Sequence, residues 1–265
     1  MIGRVKKYLI VTGVFVTIFC SLEVHANSPL VPDPNDRPPL FLHRDNYLLV
    51  GGDTLGRSGN AVFKFQISGK FQVLWSKLYI AYTQRSFMAL RQSSFPFYDH
   101  NFEPEIFYNL LEKNYHWFEG VQFGLNHQSN GKAGADSRSW NRAYAKFYFE
   151  NGAFYFRPGI YIPFLDDAGT GHTESLAKYM GVVSLETGYR WKKNLELSAI
   201  GKVGSGGNRG SIQVDFSAPF GFVDRISKKH EYSRIWFQAW YGYGESLIGF
   251  DQKNFSAALG VGFRS

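Results

Sequence analysis

From about residue 46 onward, hydrophobic and polar positions alternate with period two. In "VFKFQISGKF" (62–71), Phe63, Phe65, Ile67, Gly69 and Phe71 stand against Lys64, Gln66, Ser68 and Lys70, the signature of a strand with two unlike faces. "GVQFGLNH" sets Val121, Phe123 and Leu125 against Gln122, Gly124 and Asn126. "NRAYAKFYFE" sets Ala143, Ala145, Phe147 and Phe149 against Tyr144, Lys146 and Tyr148. Similar segments near 46–52, 61–71, 75–84, 102–111, 154–162, 178–191, 194–203, 210–218, 232–242 and 247–263 bring the expected number of strands to about twelve. No second composition regime interrupts them, so one domain is expected.

Alternation fits two architectures, a soluble sandwich with one wet face and a barrel whose outer wall meets lipid. Three features favour an all-β, twelve-stranded antiparallel transmembrane β-barrel. Aromatic residues make up 18% of the chain and crowd the apolar face, as girdles at two membrane interfaces require. Many segments reach the roughly 9–11 residues of a tilted spanning strand. The third is an export signal. Arg4, Lys6 and Lys7 precede the apolar run Tyr8–Cys20, and Val24-His25-Ala26 offers a cleavage point, so residues 1–26 read as a signal peptide and 27–265 as the barrel domain. Beyond it no apolar run of about 18 residues occurs, which excludes a helical span.

Cleavage would remove Cys20, the one cysteine, leaving no disulfide, cysteine ligand or cysteine nucleophile. Residues 1–26 hold Arg4, Lys6, Lys7 and Glu23, a net +2, so +5 of the formal +7 stays on residues 27–265. The basic residues are too dispersed for a nucleic-acid surface and suit an anionic lipid surface or solubility.

With both chain ends on the inner side, loops after odd-numbered strands lie outside, near 86–100, 127–140, 163–177, 204–209 and 243–246. "GLNHQSNGKAGADSRSWNRAY" (124–144) is then an outer-rim hairpin. By the same period His127 and Ser129 share the lipid-facing side of Val121, Phe123 and Leu125, and Asn141 shares that of Ala143 and Ala145. Polar groups on that side are costly without a use. Serine is a weak nucleophile that needs a base, histidine is that base, and asparagine can orient the imidazole through its amide oxygen. The Gly-x-Ser-x-Gly elbow of soluble lipases is absent.

"NHQSNG" (126–131) followed by "SRSWNR" (137–142) resembles the active-site hairpin of the bacterial outer-membrane phospholipase A family. "YTQRS" (82–86), "NFEPEIF" (101–107), "KYMG" (178–181) and "YGYGESLI" (241–248) resemble it in the same order. The resemblance implies a calcium-dependent hydrolase of phospholipid acyl esters, with phospholipase A1, A2 and lysophospholipase activity, working at the outer leaflet of the outer membrane as a homodimer. It implies Ser129 as nucleophile, His127 as general base and Asn141 as the orienting residue. For calcium it implies Ser137, the carbonyl of Lys132, Ser94 from the partner subunit, and Asp167. Calcium takes such hydroxyl and carbonyl oxygens readily. Gln84, on the face of Leu78, Ile80 and Tyr82, either lies above the hydrocarbon among headgroups or, as the resemblance implies, meets its copy in a second subunit across a twofold axis. The alternative function is a catalytically silent barrel that serves as a pore or anchor.

Other motifs read as structure. "GSGGNRG" (204–210) is a hairpin turn rather than a phosphate loop. His25, His43, His100, His116, His172 and His230 are scattered surface or lumen residues. Asp166 and Asp167 solvate an outer loop rather than form a catalytic pair, and "YGYGES" (241–246) is a tight turn or a substrate contact.

Overall fold

The computed structural model describes residues 40–55, 59–74, 76–111, 117–219 and 233–265. The expected signal peptide, His25, His116 and His230 lie outside them. One antiparallel sheet holds β1 (Leu40–Leu42), β2 (Asn46–Asp53), β3 (Val62–Gln72), β4 (Leu78–Ala89), β5 (Phe97–Leu111), β6 (Phe118–Ser129) and β7 (Ser139–Asn151). It continues with β8 (Phe154–Asp167), β9 (Val183–Arg190), β10 (Glu196–Val203), β11 (Gly210–Pro219), β12 (Ser233–Gly242) and β13 (Asn254–Phe263). Each strand from β2 pairs with the next, and β13 returns to β2 with Phe263 opposite Asn46 and Ser256 opposite Asp53. Twelve strands therefore close the cylinder. The short β1 prolongs the line of β2 along β3, with Leu42 opposite Gly69.

The two-residue period separates the walls. Ile80, Ile106, Leu125, Ile162 and Leu259 stand exposed on the outer wall, as lipid-facing positions of a membrane barrel must. The lumen is charged and bonded. Arg44 reaches Glu103 at 2.7 Å and Glu105 at 2.9 Å, and Arg142 meets Glu103 at 3.0 Å. Lys146 and Arg157 share Glu186 at 2.7 and 2.8 Å, and Lys64 meets Glu245 at 2.8 Å. His43, at the bend between β1 and β2, lies 2.5 Å from Glu105. At the β2–β13 seam, Arg264 reaches inward to Glu196 at 2.6 Å and lies 3.6 Å from Asp45.

The expected strands all occur with several boundaries corrected, among them the strand expected at 154–162, which runs on to Asp167. The third runs 78–89 rather than 75–84, and the fourth begins at Phe97 rather than near 102. Most of the segment 86–100, expected as a loop, is thus ladder: Ser86 pairs with His100 and Phe87 with Asp99 before a bulge. Above the apolar band a strand needs only its hydrogen bonds, so polar side chains do not end it. Residues 177–180 form a helical turn, α1 (Ala177–Met180), instead of the start of β9. Leu247 and Phe250, expected in the last strand, instead pack with Trp140, Leu176 and Tyr179 in a cluster of rim residues.

The two rims differ. On one rim two residues join β7 to β8 and thirteen lie between β11 and β12, whereas the opposite rim carries the connections 130–138, 168–182 and 243–253. The polar hairpin opens on this long-loop rim.

Candidate active site

The β6–β7 ladder sets His127 opposite Asn141 and Ser129 opposite Ser139. His127, Ser129 and Asn141 share the outer wall with Phe123 and Leu125, which are half exposed. His127 Nδ1 lies 2.9 Å from Asn141 Oδ1. An amide oxygen only accepts, so Nδ1 carries the proton and Nε2 is left as the base. Ser129 follows two residues along the same face, about 6.8 Å away at Cα. Among the described residues its hydroxyl makes no hydrogen bond. The arrangement sets a hydroxyl two residues along the same face from an imidazole that Asn141 orients.

The ladder is braced from the lumen. Trp140 Nε1 donates to Gln128 Oε1 at 2.9 Å, and Asn126 Nδ2 donates to Glu103 Oε1 at 2.9 Å. The Arg142 guanidinium stacks 4.1 Å over the Trp140 ring. Alternate residues of the same two strands thus build the brace inside and the reactive groups outside.

Asn130 ties the hairpin loop together. Its Oδ1 accepts from the Arg138 and Lys132 amides at 3.0 and 3.3 Å, and its Nδ2 donates to the Asp136 carbonyl at 2.8 Å. Gly131 has φ 67°, and a Cβ there would come within 3.0 Å of the Phe102 ring, so glycine is required on both counts. Asn130 and Arg138 are functional-loop residues that sequence reasoning did not single out; the Asn-Gly pair at 130–131 is the turn signal that could have marked the first.

Four further residues were expected to hold a metal. Ser137 and Lys132 lie in this loop, and neither the Ser137 hydroxyl nor the Lys132 carbonyl has a hydrogen bond among the described residues. Asp167 comes alongside, since it is opposite Ser139 in the β7–β8 ladder. One of its oxygens accepts from the Gly169 amide at 2.8 Å. Ser94 stands apart on the exposed turn between β4 and β5, with φ 66°, and among the described residues no hydrogen bond joins it to Ser129 or Ser137. No group of three or more His, Cys, Asp and Glu residues that could hold a metal occurs among the described residues. Free hydroxyl and carbonyl oxygens beside one carboxylate nevertheless match the donors that a hard divalent cation takes.

Gln84, expected to meet a partner subunit, is also bonded within its own chain. Its amide has partners within the chain: Tyr82 Oη donates to Oε1 at 3.2 Å, and Nε2 donates to Ser86 Oγ at 3.1 Å. Ser86 Oγ in turn lies 2.8 Å from His100 Nδ1. The His100 ring stands between Phe97 and Phe102, and Phe102 is opposite Ser129. A polar chain therefore runs over the outer wall toward the strand of Ser129.

The structural readings of the other motifs stand. Asp166 accepts from Leu176 N at 3.0 Å, Ala177 N at 2.9 Å and Ser175 Oγ at 2.6 Å, a loop-capping role. Residues 204–209 form the β10–β11 turn, closed by Gly204 N donating to Arg209 O at 2.8 Å.

A closed barrel with an apolar outer wall, a charged lumen and a Ser-His-Asn group at one rim defines a membrane β-barrel with the side chains of an acyl hydrolase. Comparison with known proteins narrows this. The Phospholipase A1 family model matches residues 51–264, and the chain belongs to that family. Phospholipase A1 of Proteus vulgaris is 34% identical over 211 residues, covering 75% of this chain and 68% of that protein. The outer membrane phospholipase A of Escherichia coli superposes with a TM-score of 0.76 at 26% identity, covering 89% of this chain and 96% of the other. The Salmonella typhi outer membrane phospholipase, a dimer with bound calcium, gives 0.76 at 27% identity with the same coverage.

Proposed function

We propose that the chain is an outer-membrane phospholipase that hydrolyses the acyl esters of glycerophospholipids through Ser129, His127 and Asn141. The observation that carries this reading is the 2.9 Å bond from His127 Nδ1 to Asn141 Oδ1 on the lipid-facing wall, beside the unbonded Ser129 hydroxyl. Ser129 Oγ attacks the ester carbonyl carbon as its proton passes to His127 Nε2. Asn141 Oδ1 accepts from Nδ1 throughout and holds the imidazolium in line. His127 returns the proton to the departing alkoxide, which leaves as a lysophospholipid and an acyl group on Ser129. Water then attacks the acyl carbon as His127 takes its proton, the bond from that carbon to Ser129 Oγ breaks, His127 returns the proton to Oγ, and the fatty acid leaves. A nucleophile on an open wall has access to esters at either glycerol position and to lysophospholipids, so A1, A2 and lysophospholipase activities are proposed together.

Calcium fits the free oxygens of Ser137 and Lys132 and the carboxylate of Asp167, and would polarise the ester carbonyl. Ser94 of the partner subunit would complete the site in a homodimer, as the calcium-bound dimer of the Salmonella typhi relative supports. The Gln84 chain is the proposed contact at the twofold axis. Long loops at the site's rim support its orientation toward the outer leaflet. The lumen speaks against the alternative of a pore, because Arg44, Glu103, Glu105 and Arg142 bridge it with ion pairs.

The test is release of fatty acid from position-labelled phospholipid by purified protein in detergent, with calcium and with chelator. Hydrolysis that needs calcium and disappears in Ser129→Ala is expected. A folded wild-type protein without hydrolysis would overturn the reading.

A further inference from the structure

Besides Asn130, a second buried side chain holds the loop 130–138 from behind. Arg138 is 3% exposed, and its Nη1 donates to the carbonyls of Ala135 at 2.6 Å and Ser137 at 2.7 Å. Its Nη2 lies 2.7 Å from His172 Nε2, and the guanidinium stands 5.4 Å over the Phe250 ring. A guanidinium only donates, so His172 Nε2 is the acceptor. His172 belongs to the next rim connection, which docks directly on the hairpin loop. Thr170 N donates to Gly134 O at 3.2 Å. A Cβ on Gly169 would come within 2.5 Å of the Ser137 carbonyl and 2.8 Å of Arg138 Nη1, so only glycine admits this approach.

These contacts sort the oxygens of the loop. The carbonyls of Ala135 and Ser137 are turned to the guanidinium, while the Lys132 carbonyl and the Ser137 hydroxyl stay without hydrogen bonds. We propose that Arg138 and His172 form a positioning pair: Arg138 fixes the loop that offers oxygens to calcium, and His172, from the neighbouring connection, fixes Arg138. This rests on the proposed reading of the loop as a calcium site. Neither residue touches the ester. Their work is to keep the oxygens preorganised, so that binding does not have to order the loop.

Calcium affinity, measured by titration calorimetry on detergent-solubilised protein, tests the pair, together with hydrogen exchange of the amides at 131–137. Folding of each variant is checked by heat-modifiable gel migration. Arg138→Lys keeps the charge but cannot bond three acceptors in one plane, and is expected to weaken calcium binding about tenfold or more and to speed exchange across 131–137. His172→Ala is expected to weaken it several-fold. His172→Gln, whose amide oxygen can still accept from Arg138, is expected to restore wild-type affinity and exchange. A folded Arg138→Lys that binds calcium and exchanges like wild type overturns the proposal, as does a His172→Gln that behaves like His172→Ala. If wild type binds no calcium, the calcium reading of the loop falls, and exchange at 131–137 still decides whether the pair holds the loop.

Discussion

Strands β5 to β7 carry polar groups on both walls, and the two sets are arranged on opposite terms. In the lumen Glu103 is bonded to Arg44, Asn126 and Arg142. On the outer wall His127 has one partner, Asn141, and Ser129 has none. Buried charges persist only when paired, so the inner set is tied up in holding the barrel. A hydroxyl left free where lipid should be gains nothing for stability and is available for reaction.

The comparison can be broken most severely at the nucleophile. Ser129→Ala is expected to lower hydrolysis by about four orders of magnitude or more, as losses of such nucleophiles do, while thermal unfolding in detergent stays at wild type; a large loss of stability would place Ser129 with the inner set. The converse change is Glu103→Ala. Removing one partner of a buried ion network costs about 3–5 kcal/mol, so denaturant unfolding should shift by that amount. Wild-type stability would mean that the lumen charges are solvated rather than paired. Chelating calcium is expected to slow hydrolysis about a hundredfold or more, the size of losing one strong stabiliser of the developing oxyanion; unchanged rates would remove the metal from the reaction. Asn141→Ala should cost about ten- to a hundredfold in kcat, the worth of a hydrogen bond to a charged ring, with KM little changed. The smallest effect belongs to Gln84→Ala. Its amide is already bonded to Tyr82 and Ser86 within the chain, so sedimentation in detergent should show dimerisation weakened by about 1 kcal/mol and not abolished. Complete loss of the dimer would assign Gln84 a larger role across the axis.

The strands were legible because lipid outside and charge inside impose a two-residue period that no tertiary context overrides. The same period placed His127, Ser129 and Asn141 on one wall, and the ladder agrees. What escaped depends on side-chain rotamers and on bonds to the backbone. Gln84 looked unpaired because its partners are neighbours on its own face, two residues to either side, and their bonding depends on side-chain rotamers that a pattern does not carry. Arg138 and Asn130 work through backbone carbonyls and amides, which leave no mark in residue type. Residues 86–100 were expected as loop because the apolar signal stops at the edge of the lipid band, although the ladder does not.

The seam between β2 and β13 has a consequence for how the cylinder comes into being. Its two edges, Asn46 and Phe263 among them, meet across most of the chain's length, so this pairing carries the greatest loop-closure entropy of any in the sheet. Arg264 reaches across that seam to Asp45, an attraction that exists only when the two edges have met. Until then both edges present unpaired backbone groups, which hydrocarbon does not tolerate. Joining is therefore the late, all-or-none event of assembly, and the arginine acts as a catch that makes the open form short-lived.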